Sequence, residues 1–220
     1  MAGTAKQSKS GYAVYTKLAL AVYDLWVLKI SNSLIWQCPS SNLLELYNTN
    51  ISTNHLDIGV GTGYFLDRCK FPVDNPRLAL MDLNQNCLKK ASCRMARYKP
   101  ETYIRNILNP VQFNGQLFNS IGLNYLLHCL PGRMEEKTLV FENIKPLLHP
   151  GGVIFGSTLL SSGLKQNSFA KKLTRIYNSK GIFSNQNDSL AGLEKILKAH
   201  FTEIRLKVIG CAALFSGRKK

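Results

Sequence analysis

A chain of 220 residues with 45% apolar side chains can bury one sizeable core, and its length points to one domain with an elaboration rather than two. A net charge of +15, from 28 basic and 13 acidic residues, favours solubility and draws anions to the surface. Six cysteines without a Cys-x-x-Cys pair, and no histidines at zinc-finger spacing, exclude a disulfide framework or a structural metal site; the thiols read as reduced, mostly buried small hydrophobes of a cytoplasmic protein.

The N-terminal tail carries Lys6 and Lys9 but lacks the uncharged apolar segment and cleavage site of a signal peptide. Residues 11–37 are rich in aromatics, with Tyr15, Leu18, Val22, Trp26 and Ile30 at helical spacing. Lys17, Asp24 and Lys29 interrupt this pattern far short of the ~20 apolar residues of a membrane span. A short helix is expected over 42–48, then a turn at Ser52, Thr53 and Asn54. Because the first core strand starts only at His55, residues 1–50 read as an N-terminal helical cap and 51–220 as the main domain.

His55 to Ile58 forms a short apolar strand that runs into Gly59-Val60-Gly61-Thr62-Gly63 and then a helix. Glycines at alternate positions allow a tight positive-φ turn and let a ligand lie against bare backbone. A dinucleotide fold would place a third glycine three residues after the second, but that position is Tyr64. Asp57, two residues before the first glycine, repels a pyrophosphate and attracts the ammonium of an amino acid. Residues 77–83 form a second buried strand carrying Asp82, 19 residues beyond Gly63, where an acid in a doubly wound fold accepts hydrogen bonds from ribose hydroxyls.

Lys89, Lys90, Arg94, Arg97 and Lys99 fall on or just after the next helix, opposite an apolar stripe of Leu88, Ala91, Met95 and Tyr98. This cationic face suits RNA or acidic lipid, but it lacks exposed aromatics and any nucleic-acid motif, so a solvated face is the preferred reading. A third strand spans 102–108 and includes Asn106 and Ile107; a fourth spans 117–123 and leads into Asn124-Tyr125-Leu126-Leu127-His128-Cys129-Leu130-Pro131-Gly132. Ligands of open parallel sheets lie beyond the carboxyl ends of the strands, which puts 124–129 beside any reacting group. A helix over 135–148, a Pro-Gly-Gly turn, a fifth strand over 153–159, a polar stretch over 161–187, a helix capped by Asp188 or Ser189, and two strands over 201–209 and 211–216 complete the chain.

The Asp-x-Gly-x-Gly-x-Gly string resembles the first motif of class I S-adenosylmethionine-dependent methyltransferases, and the post-strand string around His128 is similar to that of the type-12 and ubiquinone-biosynthesis kinds. Four separate motifs carry the likeness across about residues 55–160. It implies a seven-stranded, doubly wound Rossmann-like α/β sheet, mostly parallel with the last strand antiparallel, under an N-terminal helical lid. It also implies S-adenosyl-L-methionine as cofactor and methyl transfer to an O, N or C nucleophile of a small organic acceptor.

Carried onto this chain, the likeness assigns Asp57 to the cofactor's amino group, the Gly59, Val60, Gly61, Thr62 and Gly63 backbone to its methionine part, and Asp82 to the ribose. Leu83 would lie on the adenine face, with Asn106, where the family usually has Asp, and Ile107 at the adenine edge. Asn124 and Tyr125 would flank the methionine, Tyr15 would cover the sulfonium from the lid, and His128 would face the acceptor. A base role for His128 competes with a plain structural one, since the sulfonium methyl is already a strong electrophile. An RNA methyltransferase using the basic face, a cofactor-binding protein without methyl transfer, and a module without cofactor remain the alternatives, and the oligomeric state stays open.

Overall fold

The computed structural model describes residues 31–220. Seven strands form one sheet in the order β3-β2-β1-β4-β5-β7-β6. These are β1 (Asn54–Ile58), β2 (Arg77–Asp82), β3 (Glu101–Ile104), β4 (Phe118–Asn124), β5 (Leu148–Leu159), β6 (Phe201–Ile209) and β7 (Ala212–Lys219). Pairings from β3 through β5 are parallel, and β7 runs antiparallel to both β5 and β6. The expected seven-stranded sheet with an antiparallel last strand is therefore observed.

Strand alternation divides the core into two layers. In β1, Leu56 and Ile58 point to the layer holding Phe118, Phe141 and Ile154. The opposite layer holds Tyr47, Phe65, Leu80, Leu88 and Phe155. Each such side chain contributes about 1.5–3 kcal/mol by leaving water.

Among the described residues six α-helices flank the sheet: α1 (Ser40–Asn50), α2 (Tyr64–Arg68), α3 (Gln85–Arg94), α4 (Thr138–Ile144), α5 (Ser168–Ser179) and α6 (Leu190–His200). Helix α1 buries Leu43 and Tyr47 against the sheet, so this part of the N-terminal segment belongs to the core. Asn84 caps α3 by accepting from the Asn86 N–H, Asn167 caps α5 and Ser189 caps α6. Asp188, the other cap candidate for α6, is used elsewhere.

Three boundaries differ from the sequence expectation. The third strand stops at Ile104, which leaves Asn106 and Ile107 in the following loop. The helix expected over 135–148 is α4 flanked by 3-10 turns at Met134–Lys137 and Lys145–Leu147, because Pro146 lacks the N–H that would continue it. Strand β5 begins already at Leu148 and passes through Pro-Gly-Gly with a register shift against β4 between Phe118 and Ser120. All six cysteines are free, and Cys93 is the exposed one. No helix among the described residues is long and apolar enough to cross a membrane.

Candidate cofactor and acceptor site

The strand order reverses between β1 and β4, and there the carboxyl ends of the strands open a cavity of about 180 Å³. Asp57, the Gly59–Gly63 loop, Asp82, Leu83, Asn106, Ile107, Asn124 and Tyr125 all line it. The sequence also proposed Tyr15, which lies outside the described residues.

The glycine loop has the geometry its spacing foretold. Gly59, Gly61 and Gly63 have φ of +72°, +53° and +73°, a region that side chains with a Cβ rarely enter. A Cβ on Gly59 would come 2.7 Å from Leu126 Cδ1, whereas one on Gly61 would meet nothing within 4 Å. The bare face of Gly61 therefore gives directly onto the cavity. Helix α2 is only five residues long, so the cradle consists of loop backbone rather than a long helix dipole.

Asp57 is buried at 3% exposure. Its Oδ1 accepts a hydrogen bond from the Tyr47 hydroxyl at 2.8 Å and lies 3.5 Å from His55 Nε2. The Asp57–Gly122 register between β1 and β4 needs glycine at 122, because a Cβ there would sit 2.5 Å from that oxygen. Tyr47 also lines the cavity; helical spacing predicted its helix, but nothing local in the sequence marked its hydroxyl.

Asp82 sits at the tip of the neighbouring strand and accepts from the Asn84 backbone N–H at 2.8 Å. Burial raises its carboxyl to about 6, against the lowering effect of the backbone N–H groups of Asn84, Gly61 and Val60. Leu83 beside it is 40% exposed, a large apolar side chain left open at the cavity rim. Asn106 Oδ1 accepts from the Leu108 N–H at 3.0 Å, forming an Asx turn that spends part of the oxygen's capacity on its own loop. Ile107 is buried, and its carbonyl is held by Asn143.

At the end of β4, Asn124 Oδ1 accepts from the Ser157 hydroxyl. Tyr125 follows with φ of +52°, and its N–H donates to the Ser157 carbonyl at 2.9 Å. A non-glycine residue in this region costs on the order of 1 kcal/mol or more and is held by its surroundings. The turn directs the chain through Leu126, Cys129, Leu130 and Pro131, which with Ile182 form an apolar wall of the cavity. Burial pushes the Cys129 thiol up to about 12, which keeps it protonated.

His128 is the residue the structure does not bring to this wall. It is buried at 3% exposure within the 3-10 turn Leu127–Cys129, and it is not among the residues lining the cavity. Its Nδ1 accepts from the Leu159 N–H at 3.3 Å, and the ring edges against Phe183 with centroids 4.6 Å apart. Burial, then the charge of Lys137, pushes the imidazole down to about 3. The unfolded chain therefore binds a proton near pH 6.5 that the native state refuses, so His128 removes stability as pH falls from about 6.5 towards 3. Urea titrations of wild type and His128→Gln at pH 7 and pH 5 should show the variant losing less stability between the two; equal losses would contradict this placement.

Lys137 escaped sequence reasoning entirely. Its side chain is fully buried, and its Nζ donates to Asp188 Oδ2 at 2.6 Å and to the Ser184 carbonyl at 2.8 Å. Burial pushes Lys137 down and Asp188 up, and their mutual attraction opposes both shifts. Ser184 in turn donates its N–H to the His128 carbonyl at 2.8 Å. Residues 182–188 are thus bolted to the loop after β4. Of the polar stretch 161–187, Ile182 reaches the cavity, while residues 168–179 form helix α5.

On the basic face, Lys89 and Lys90 are exposed, Arg97 pairs with Asp67 at 2.8 Å, and Arg94 donates to Thr62 Oγ1 at 3.2 Å. Among the described residues no cluster of three His, Cys, Asp or Glu side chains suits a metal ion.

Comparison with known proteins agrees with this geometry. A family model described as a methyltransferase domain matches residues 56–154. The demethylluteothin O-methyltransferase of Streptomyces thioluteus is 38% identical over 210 residues, covering 96% of this chain and 91% of that protein. The physcion biosynthesis cluster O-methyltransferase of Aspergillus chevalieri is 39% identical over 214 residues, 96% of each chain. Among solved structures, DhpI in complex with S-adenosylhomocysteine superposes with a TM-score of 0.68 over 96% of each chain at 15% identity, a likeness of fold. With a carboxylate and a bare-backbone loop on one strand tip, a second acid on the next, and methyltransferase relatives over 96% of its length, the chain belongs to the class I S-adenosylmethionine-dependent methyltransferases.

Proposed function

We propose that this methyltransferase methylates an acidic hydroxyl, a phenol or enol, on a small, flat, largely apolar molecule. The observation that carries the reading is the make-up of the cavity beyond the cofactor residues. Its wall of Leu126, Cys129, Leu130, Pro131 and Ile182 offers apolar surface and, among the described residues, no side chain fit to take a proton. His128 is turned away with its acceptor nitrogen engaged, and the Cys129 thiol is held neutral. A hydroxyl acidic enough to lose its proton to water meets that limit, and an aliphatic alcohol does not. The relatives named as O-methyltransferases support oxygen as the accepting atom.

When bound, S-adenosylmethionine supplies an activated methyl on a positively charged sulfur. The residues present fit it. Asp57 holds the amino group by charge-assisted hydrogen bonding, and the bare backbone of Gly59 to Gly63 takes the methionine part. Asp82 accepts from the ribose hydroxyls, Leu83 covers the adenine face, and the loop at Asn106 and Ile107 meets the adenine edge. Asn124 and the strained Tyr125 border the methionine part and fix where the acceptor wall begins. The contribution of the described residues is orientation, worth several kcal/mol without a general base among them. The basic face formed by Lys89 and Lys90 is left as a solvated surface under this reading.

Methyl-labelled cofactor should be incubated with matched phenol, aliphatic alcohol and aniline forms of one bicyclic aromatic scaffold, and the products read by mass spectrometry. Label is expected on the phenol alone, at a rate that follows the phenol's own ionisation across a series of ring substituents. Label on the aniline or aliphatic alcohol alone would overturn the reading.

A further inference from the structure

We propose that Tyr47, with His55 behind Asp57, is a positioning residue that fixes one carboxylate oxygen inward so that the other faces the cofactor's amino-acid end. The inference rests on the reading of Asp57 given above and extends it to residues that do not touch the reaction.

The geometry is a closed set of contacts. Asp57 Oδ1 accepts from the Tyr47 hydroxyl at 2.8 Å and stands 3.5 Å from His55 Nε2. His55 Nδ1 meets Ser120 Oγ at 2.8 Å, and Ser120 Oγ also accepts from the Ser52 N–H at 3.0 Å. The Ser52 hydroxyl stands 2.9 Å from the Asn54 carbonyl and 2.8 Å from Ser120 Oγ, and when it donates to Ser120 the Ser120 proton is left for His55 Nδ1. A carboxylate oxygen facing Nε2 selects the tautomer with its proton there, so Ser120 is the donor and Nδ1 the acceptor. Among the described residues buried His55 Nε2 makes no hydrogen bond, and Asp57 Oδ1 stands 3.5 Å from it.

The frame around this set is rigid. Tyr47 stacks on Phe65 with ring centroids 5.8 Å apart and meets Phe155 edge-on at 5.1 Å; the His55 ring lies against Phe155 at 5.6 Å. Glycine at 122 closes the fourth side, where any Cβ would strike Oδ1. Asp57 lines the cavity, and with Oδ1 engaged by the Tyr47 hydroxyl it is Oδ2 that is left for a ligand there. A carboxylate fixed in advance loses less rotamer freedom on binding, and its grip is directional enough to distinguish a ligand with an α-amino group from one without.

Two nucleosides separate this role from general support of the fold. S-adenosylhomocysteine carries the amino-acid end, and 5′-methylthioadenosine lacks it while keeping the adenosine. Calorimetric titration of Tyr47→Phe, which keeps the ring and its packing, should show about tenfold weaker S-adenosylhomocysteine binding, the effect of losing one hydrogen bond to a charged group, with 5′-methylthioadenosine affinity unchanged. Ser120→Ala, one step further from the cavity, should weaken S-adenosylhomocysteine two- to fivefold with the same selectivity. Combining Tyr47→Phe with Asp57→Asn should weaken S-adenosylhomocysteine no more than Asp57→Asn does. Wild-type affinity for both ligands in Tyr47→Phe and Ser120→Ala, or an equal loss for both ligands, would overturn the positioning role. If Asp57→Asn itself bound S-adenosylhomocysteine as wild type does, the assignment of Asp57 to the amino group would fall, and this inference with it.

Discussion

Asp188→Ala is expected to destabilise the protein by roughly 3–5 kcal/mol, because it strands the fully buried Lys137 ammonium with one remaining partner, the Ser184 carbonyl. In a chain of this length that corresponds to a melting point lower by roughly 10 °C. The pair ties residues 182–188 to the loop after β4, so the loss should appear first as enhanced amide exchange in those two segments. Replacing both partners, Lys137→Met with Asp188→Leu, removes the unpaired charge and should restore most of the stability. Urea unfolding of the single and double variants measures both quantities. A single variant within about 1 kcal/mol of wild type would mean that the two side chains are hydrated rather than buried.

The second large effect concerns the paired acids. Asp57→Ala and Asp82→Ala should each weaken S-adenosylhomocysteine binding by about 10²-fold, the loss expected when charge-assisted hydrogen bonds are removed from a sheltered site. The two acids should differ in pH dependence. Burial raises Asp82 to about 6, so at pH 5 it is mostly protonated and at pH 7 mostly ionised. Because the carboxylate is the better acceptor for ribose hydroxyls, affinity should climb as pH rises through about 6, and Asp82→Asn should flatten that climb. For stability the sign is the reverse: a carboxyl whose native value lies above its unfolded 3.8 loses stabilisation as pH rises through that window. Calorimetry at pH 5, 6 and 7 on wild type and Asp82→Asn tests the binding arm. A flat wild-type profile would remove Asp82 from the ribose role.

Asp82 and His128 therefore act on acid stability in opposite directions. Between about pH 4 and 6 the raised carboxyl favours the native state on acidification, while the depressed imidazole opposes it, and the imidazole is displaced further from its usual value. His128→Gln and Asp82→Asn should therefore shift acid unfolding in opposite senses.

The sequence by itself determined the scaffold and the cofactor face. Local signals carry those features: alternate glycines dictate a positive-φ loop, apolar runs between helical patterns dictate a parallel sheet, and an acid at a strand's end is placed by the strand. Asp57 and Asp82 were legible for that reason, while Leu83, Asn106, Ile107, Asn124 and Tyr125 were assigned through the family resemblance those motifs carry; all of them line one cavity. Tertiary structure decided everything that depends on residues far apart in the chain. His128 has the right neighbours in sequence, yet its 3-10 turn rotates the ring inward, where Leu159 and Phe183, from β5 and the segment after α5, enclose it. Nothing local marks Lys137, because its partner Asp188 lies 51 residues later in the chain. Tyr47 and Asp57 are ten residues apart and meet only because α1 folds back across β1. A local pattern fixes where a backbone goes and which face a side chain leaves from; which partner waits there is settled by packing of the whole chain, and burial then sets the protonation state that decides whether a residue can do chemistry.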